Sequence, residues 1–102
     1  MYKVVYLPLA ESDLMEALAY IFHRLDAPKA AGDLLAAFDQ TVRHIAKYPY
    51  SCELYRTNRP MKDEIRQVPV RNYVLYYAVF QDHVEIRRFL HSRRDRSKGI
   101  EE

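Results

Sequence analysis

Seven consecutive apolar residues in the C-terminal half constrain the fold more than any other feature of the sequence. The run Val74-Leu75-Tyr76-Tyr77-Ala78-Val79-Phe80 lacks the polar alternation of a half-exposed strand and is far shorter than the roughly 18 residues that cross a bilayer. It therefore predicts a central β-strand covered on both faces. Strand-like segments at about 64–70 and 83–91 flank it, and the turn-forming pairs Arg71-Asn72 and Gln81-Asp82 connect them as a meander.

A first strand and a first helix precede the meander. Lys3-Val4-Val5-Tyr6-Leu7 is rich in β-branched and aromatic residues and stops at Pro8. Ser12 and Asp13 have N-cap chemistry, and Glu16 follows Asp13 at capping-box spacing, which predicts a helix start there. The predicted apolar stripe of this helix is Leu14, Leu18, Ile21, Phe22 and Leu25.

A second helix is predicted between Pro28, which suits a first helical turn, and Pro49, which ends the helix. Its predicted apolar face is Ala31, Leu35, Phe38, Val42 and Ile45. Residues 49–63 follow neither period and predict a loop, while Pro69 places the 64–70 strand at a sheet edge or ends it. The order β-α-α-β-β-β predicts one α+β domain over residues 1–102, with a helical hairpin on one face of a mostly antiparallel four-stranded sheet.

The charge is distributed unevenly along the chain. Residues 1–42 contain three Lys and Arg against six Asp and Glu, whereas residues 43–98 contain thirteen against six. A basic half of this kind suits nucleic acid or an acidic protein, or it is simply a solvated face. The single cysteine, Cys52, excludes an internal disulfide, and the sequence predicts a cytoplasmic protein with no membrane segment.

Several short segments, in this order, resemble the RelE/ParE superfamily of bacterial toxins. They are Tyr6-Leu7-Pro8, Tyr48-Pro49, Arg66-Gln67-Val68-Pro69-Val70, Asn72-Tyr73-Val74-Leu75-Tyr76-Tyr77 and Leu90-His91-Ser92-Arg93-Arg94-Asp95. The resemblance covers residues 2 to about 97. It implies the toxin of a type II toxin–antitoxin module (a plasmid stabilization protein), neutralised by a cognate antitoxin.

Three activities are open under this resemblance. RelE-like members cut mRNA on the ribosome without a metal or cofactor, whereas ParE-like members inhibit DNA gyrase and perform no chemistry of their own. The third alternative is an inactive homologue that retains only antitoxin binding. The sequence lacks the tyrosine that follows the basic segment in RelE, because Lys98-Gly99-Ile100 stands there, and Val74 replaces a RelE arginine.

The RelE-like alternative implies a set of site residues. Arg94 matches the arginine that stabilises the scissile phosphate, and His91 is the candidate general acid or base, with Arg66 and Glu64 as further catalytic candidates. The predicted RNA or phosphate contacts are Arg87, Arg88, Arg93, Arg96, Lys62 and Tyr73. The alternatives are purely structural roles: a histidine that caps the strand, a glutamate paired with a neighbouring cation, and a core tyrosine.

Two further expectations concern side-chain placement. Arg87 and Arg88 are consecutive in a strand and should point to opposite faces, one of them paired with a carboxylate near the helices and the other free for phosphate. His23, His44 and His83 lack ligand spacing, and Cys52 has no base beside it, so we expect neither a metal site nor a catalytic thiol.

Overall fold

The computed structural model describes residues 1–94 and residue 100, and its elements follow the predicted order with one addition. The first strand and the two helices are β1 (Lys3–Tyr6), α1 (Pro8–Ala19), which continues as a π-helical segment (Tyr20–Arg24), and α2 (Pro28–Lys47). The remaining strands are β2 (Glu53–Leu54), β3 (Ile65–Val70), β4 (Tyr73–Val79) and β5 (His83–His91).

The sheet has five strands in the order β1-β5-β4-β3-β2. β1 runs parallel to β5, and the other neighbours are antiparallel. The α+β class and the mostly antiparallel sheet are confirmed, but the count of four strands was wrong. The missed strand, β2, has two residues, too few to show an alternating pattern inside the predicted loop. It pairs only with Arg66 and Gln67, so within the described residues Pro69 lies in a part of β3 with no strand on its outer side.

The apolar run forms the centre of the sheet, as the sequence predicted. Every residue from Val74 to Ala78 is buried. Leu75 and Tyr77 belong to the core beneath the helices, whereas Tyr76 belongs to a second, smaller cluster on the opposite face that Tyr55 and Met61 cover. The loop that precedes β3 therefore supplies the second layer over β4.

The N-terminus and the apolar stripe of α1 differ from the prediction. Leu7 has the extended backbone of an N-cap residue and Pro8 begins the helix, so Ser12 and Asp13 lie inside α1 and cap nothing. Asp13 is buried, and Phe22 and Leu25, which fall at and beyond the π-helical segment, are exposed. In α2 Leu34 is buried in the core, whereas Leu35 is 39% exposed.

A β-bulge interrupts the pairing of β4 with β5. Tyr76 pairs with Arg88 but Tyr77 pairs with Ile86, so Arg87 is an extra residue in β5. The extra residue changes the alternation of buried positions: Val84 and Ile86 share the helix-side core with Phe89, three residues on, rather than with residue 88. The bulge thereby decides which side chains of β5 reach the end of the sheet beside α1.

Candidate functional site

A groove of about 380 Å³ lies between α1 and the ends of β4 and β5. It brings together three of the predicted site residues, Tyr73, His91 and Arg94, with Glu16 and Tyr20 of the first helical segment on the other wall. Tyr73 and His91 are register partners at the last row of the β4–β5 ladder. The turn after β5 then carries Arg94 to the edge of the groove.

An aromatic stack forms one wall of the groove. The ring of Tyr73 lies 5.0 Å from the ring of Phe89 in a stacked arrangement, and the His91 ring meets Tyr73 edge-on at 5.2 Å. Burial raises the pKa of the Tyr73 hydroxyl, and the nearby Tyr20 and Glu16 raise it further. Tyr73 is consequently a neutral hydrogen-bonding group at physiological pH.

The turn after β5 determines the chemistry that His91 can perform. The backbone N–H of Arg93 donates to Nδ1 of His91 at 3.2 Å, and the N–H of Arg94 donates to the His91 carbonyl at 3.0 Å. Because Nδ1 accepts a hydrogen bond, the neutral ring carries its proton on Nε2. The neutral imidazole therefore offers a donor to the groove, whereas a general base needs an available lone pair.

Asp13 closes the floor of the groove and is the residue that the sequence did not identify. Its carboxylate accepts hydrogen bonds from Arg88 Nε at 2.7 Å, from Arg88 Nη2 at 2.9 Å and from the Phe89 N–H at 2.9 Å. The side chain is only 6% exposed, and the pair raises the pKa of Arg88. The bulge at Arg87 disturbs the strand ladder, and Asp13 satisfies the neighbouring backbone donor. One feature of the sequence could have identified Asp13: it is an acidic residue on the same buried stripe of α1 as Ala10 and Ala17.

Arg66 and Glu64 lie away from the groove. Arg66 pairs in register with Tyr77, four residues along the sheet from the row of Tyr73, about 13 Å at roughly 3.3 Å per residue. Its guanidinium donates to the Cys52 carbonyl at 2.8 Å and lies 3.4 Å from a carboxylate oxygen of Glu64. The two groups support the segment before β3.

The remaining predicted phosphate contacts do not form a cluster with the groove. Arg88 binds Asp13, as expected for the member of the pair near the helices. Arg87 lies 2.7 Å from Asp63 and 3.0 Å from Glu85, so the expectation that it would be left free for phosphate was wrong. Lys62 and Arg93 are exposed, and Arg96 lies outside the described residues.

Two further features of the described residues concern metal binding and membrane insertion. Among residues 1–94 and 100, no three His, Cys, Asp or Glu side chains converge as a metal site would require. None of the described helices has the length and apolar character needed to cross a membrane.

Comparison with known proteins identifies the family of this chain. The family model described as the ParE toxin of the type II toxin–antitoxin system parDE matches residues 4–96. The chain belongs to the ParE toxin family. A solved structure from the chromosomal ParDE toxin–antitoxin system of P. aeruginosa shares the fold, with a TM-score of 0.71 at 14% identity over 89% of this chain and 96% of that one. A comparison with curated protein sequences finds no significant match.

The ParE family assignment gives the divided site a context. Tyr73, His91 and Arg94 share one groove of this ParE-family chain, while Arg66 and Glu64 hold another segment in place. The groove can donate hydrogen bonds and offer apolar and aromatic contact area. These are properties of a recognition surface for a protein partner.

Proposed function

We propose that this ParE-family protein is the toxin of a type II toxin–antitoxin module and that it acts by binding DNA gyrase rather than by cleaving mRNA. The ParE family model over residues 4–96 supports the toxin class. The choice of mechanism rests on one observation: the residues that mRNA cleavage would need together lie apart from one another. His91 has its Nδ1 occupied. Arg66 pairs with Tyr77, four residues along the sheet from the row of Tyr73 and His91, and Glu64 lies beside Arg66 rather than in the groove.

The test of the mechanism uses two assays on the same purified protein. We expect concentration-dependent inhibition of supercoiling, or trapped cleavage complexes, with purified gyrase. Arg94→Ala should weaken the effect, because Arg94 is exposed at the rim of the groove. Arg24→Ala, an exposed arginine at the helical hairpin turn, is the matched control and should behave as the unaltered protein.

A translating extract tests the alternative mechanism, mRNA cleavage. The proposal predicts intact mRNA in an extract that contains ribosomes and the protein at the same concentration. Cleavage within codons, abolished by His91→Ala or Arg94→Ala, would establish the RelE-like alternative and refute gyrase binding as the mechanism. Normal growth on overexpression, with neither activity in vitro, would support the inactive homologue.

The partner that we propose for regulation is a cognate antitoxin acting in the cytoplasm. The helical hairpin carries an apolar groove of about 480 Å³, and the half-exposed Met15, Phe22 and Leu35 line it. Such a groove suits the apolar face of an amphipathic helix. Co-expression with the product of the adjacent open reading frame should restore growth and yield a stable complex. Phe22→Lys should weaken that complex, while Leu9→Lys, an exposed apolar residue outside this groove, should not.

A further inference from the structure

The turn that follows α2 is held in place from three directions. The N–H of Ser51 closes the turn on the Tyr48 carbonyl at 3.2 Å, which gives a β-turn with Pro49 in its favoured second position. From the core, the Tyr77 hydroxyl donates to the Pro49 carbonyl at 2.7 Å. From the sheet, Arg66 donates to the carbonyl of residue 52 at 2.8 Å. The backbone of this turn is therefore ordered in advance of any binding event.

This ordered turn presents two aromatic rings to solvent. Tyr48 is 51% exposed and Tyr50 is 58% exposed. Each ring has a cation on one face: Lys47 Nζ lies 5.6 Å from the centre of the Tyr48 ring, and the Arg66 guanidinium carbon lies 5.1 Å from the centre of the Tyr50 ring. Aromatic rings held in an exposed position and alternating with cations match the arrangement on which nucleotide bases stack.

The last turns of α2 extend the positive surface. Arg43 and Lys47 are four residues apart and therefore lie on one side of the helix, and both are exposed. Neither makes an ion pair with a carboxylate within the described residues, in contrast to Arg87 and Arg88. His44 contacts the Tyr48 ring at 5.4 Å and bonds the Ser51 hydroxyl at 3.1 Å, which joins the helix end to the turn.

We infer that Arg43, Lys47, Tyr48, Tyr50 and Arg66 form a binding surface for single-stranded nucleic acid. Bases stack on the outer faces of the two tyrosine rings, and phosphates are contacted by Arg43 and Lys47. Two exposed tyrosine rings lie beside Arg43 and Lys47, neither of which is ion-paired within the described residues. This combination favours single-stranded nucleic acid over an acidic protein segment, which has charge but no base to stack. The surface is separate from the groove of Tyr73, His91 and Arg94, and the inference does not depend on gyrase binding.

The experiment measures the affinity of the full chain for labelled 15-nucleotide oligonucleotides, dT15 and rU15, by fluorescence anisotropy across a salt series. Tyr48→Ala and Tyr50→Ala should each weaken binding roughly 5- to 150-fold, the effect of losing one stacking platform, whereas Tyr48→Phe should bind as the parent does. Lys47→Ala should lower the slope of log affinity against log salt by about 0.7, the value for one phosphate contact to a single strand. Leu9→Ala is the control, because Leu9 is 60% exposed at the start of α1, outside this surface and outside the groove of Tyr73, His91 and Arg94.

Each contrary outcome contradicts the inference. Absence of binding to both oligonucleotides at low salt removes it. Equal affinity of the parent and the tyrosine variants would reduce the interaction to nonspecific charge attraction. Tighter binding to duplex DNA than to a single strand would exclude stacking, and displacement by poly-glutamate as effectively as by oligonucleotide would identify an acidic-protein site instead. A preference between dT15 and rU15 distinguishes DNA from RNA as the source of the strand.

Discussion

The ion pair between Asp13 and Arg88 should contribute more to stability than any exposed charge pair of the molecule. Its side chains are 6% and 14% exposed, and the carboxylate accepts hydrogen bonds from the guanidinium and from the Phe89 N–H. Asp13→Ala removes all of these acceptors from the largely buried guanidinium of Arg88 and from the Phe89 N–H. We expect the free energy of unfolding to fall by about 3–5 kcal/mol.

The double variant Asp13→Leu/Arg88→Met separates the two parts of this cost. Replacing a buried ion pair by apolar side chains is often neutral, so the charge penalty should disappear. The Phe89 N–H still has no acceptor, and an unsatisfied buried donor costs about 1–3 kcal/mol. The double variant should therefore be more stable than Asp13→Ala alone and less stable than the parent.

Urea unfolding followed by circular dichroism measures both values, provided that the slope with denaturant is unchanged. For a domain of about 100 residues, the Asp13→Ala loss corresponds to a fall in melting temperature of at least about 12 °C. A loss below about 1 kcal/mol would mean that water replaces the carboxylate and that burial does not strengthen this ion pair. A double variant as unstable as the single one would assign the whole cost to the backbone donor at the bulge.

Three further predictions concern positions away from the groove. The pKa of His83 is raised above its ordinary value near 6.5, chiefly by its hydrogen bond to Asp82, so the stabilisation from this pair is complete below about pH 6.5 and is lost as the pH rises through the raised pKa. The same bond lowers the pKa of Asp82, so the stabilisation is also lost in acid, below about pH 3.9. Asp82→Asn should move the His83 titration, measured by NMR, down towards 6.5. An unchanged titration would contradict the pairing. Tyr77→Phe leaves the buried Pro49 carbonyl without its donor and should lower the unfolding free energy by about 1–2 kcal/mol, with faster amide exchange in the turn as the readout, and a silent substitution would show that the bond does not hold the turn. Gly32→Ala should stabilise the protein by up to about 1 kcal/mol in thermal unfolding, since Gly32 lies inside α2 and the added methyl meets nothing within 4 Å. A lower melting temperature would contradict this prediction.

Local patterns in the sequence predicted the elements that carry a strong period. The run from Val74 to Phe80 and the spacing of apolar residues in both helices require only near neighbours in sequence, and so the order of elements and the α+β class followed from them. The strand β2 was not predicted, because two residues are too few to show an alternating pattern. The helix start was misplaced because an acid followed three residues later by Glu16 has the same spacing as a capping box, whatever the backbone does.

The part of the site that could not be predicted depends on contacts between residues distant in sequence. Asp13 meets Arg88 across 75 positions, and the bulge at Arg87 that shifts Phe89 and His91 has no local sequence pattern that marks it. Arg66 was a catalytic candidate by residue type, but its environment is decided by the carbonyl of residue 52, which a folded turn brings to it. Residue type therefore identified candidates, and tertiary structure decided which of them meet.

The parallel pairing of β1 with β5 has a consequence for how the chain reaches its folded state. Lys3 pairs with His83, so 80 residues separate the partners, and β5 also lies between β1 and β4 in the sheet. At a synthesis rate of about 5–20 residues per second, β1 waits roughly 4–16 s for its partner to be made. Closing so long a loop late is a slow step in folding. A nascent chain thus has no complete sheet until β5 has been synthesised, and a chain truncated before residue 83 lacks the strand that joins β1 to β4.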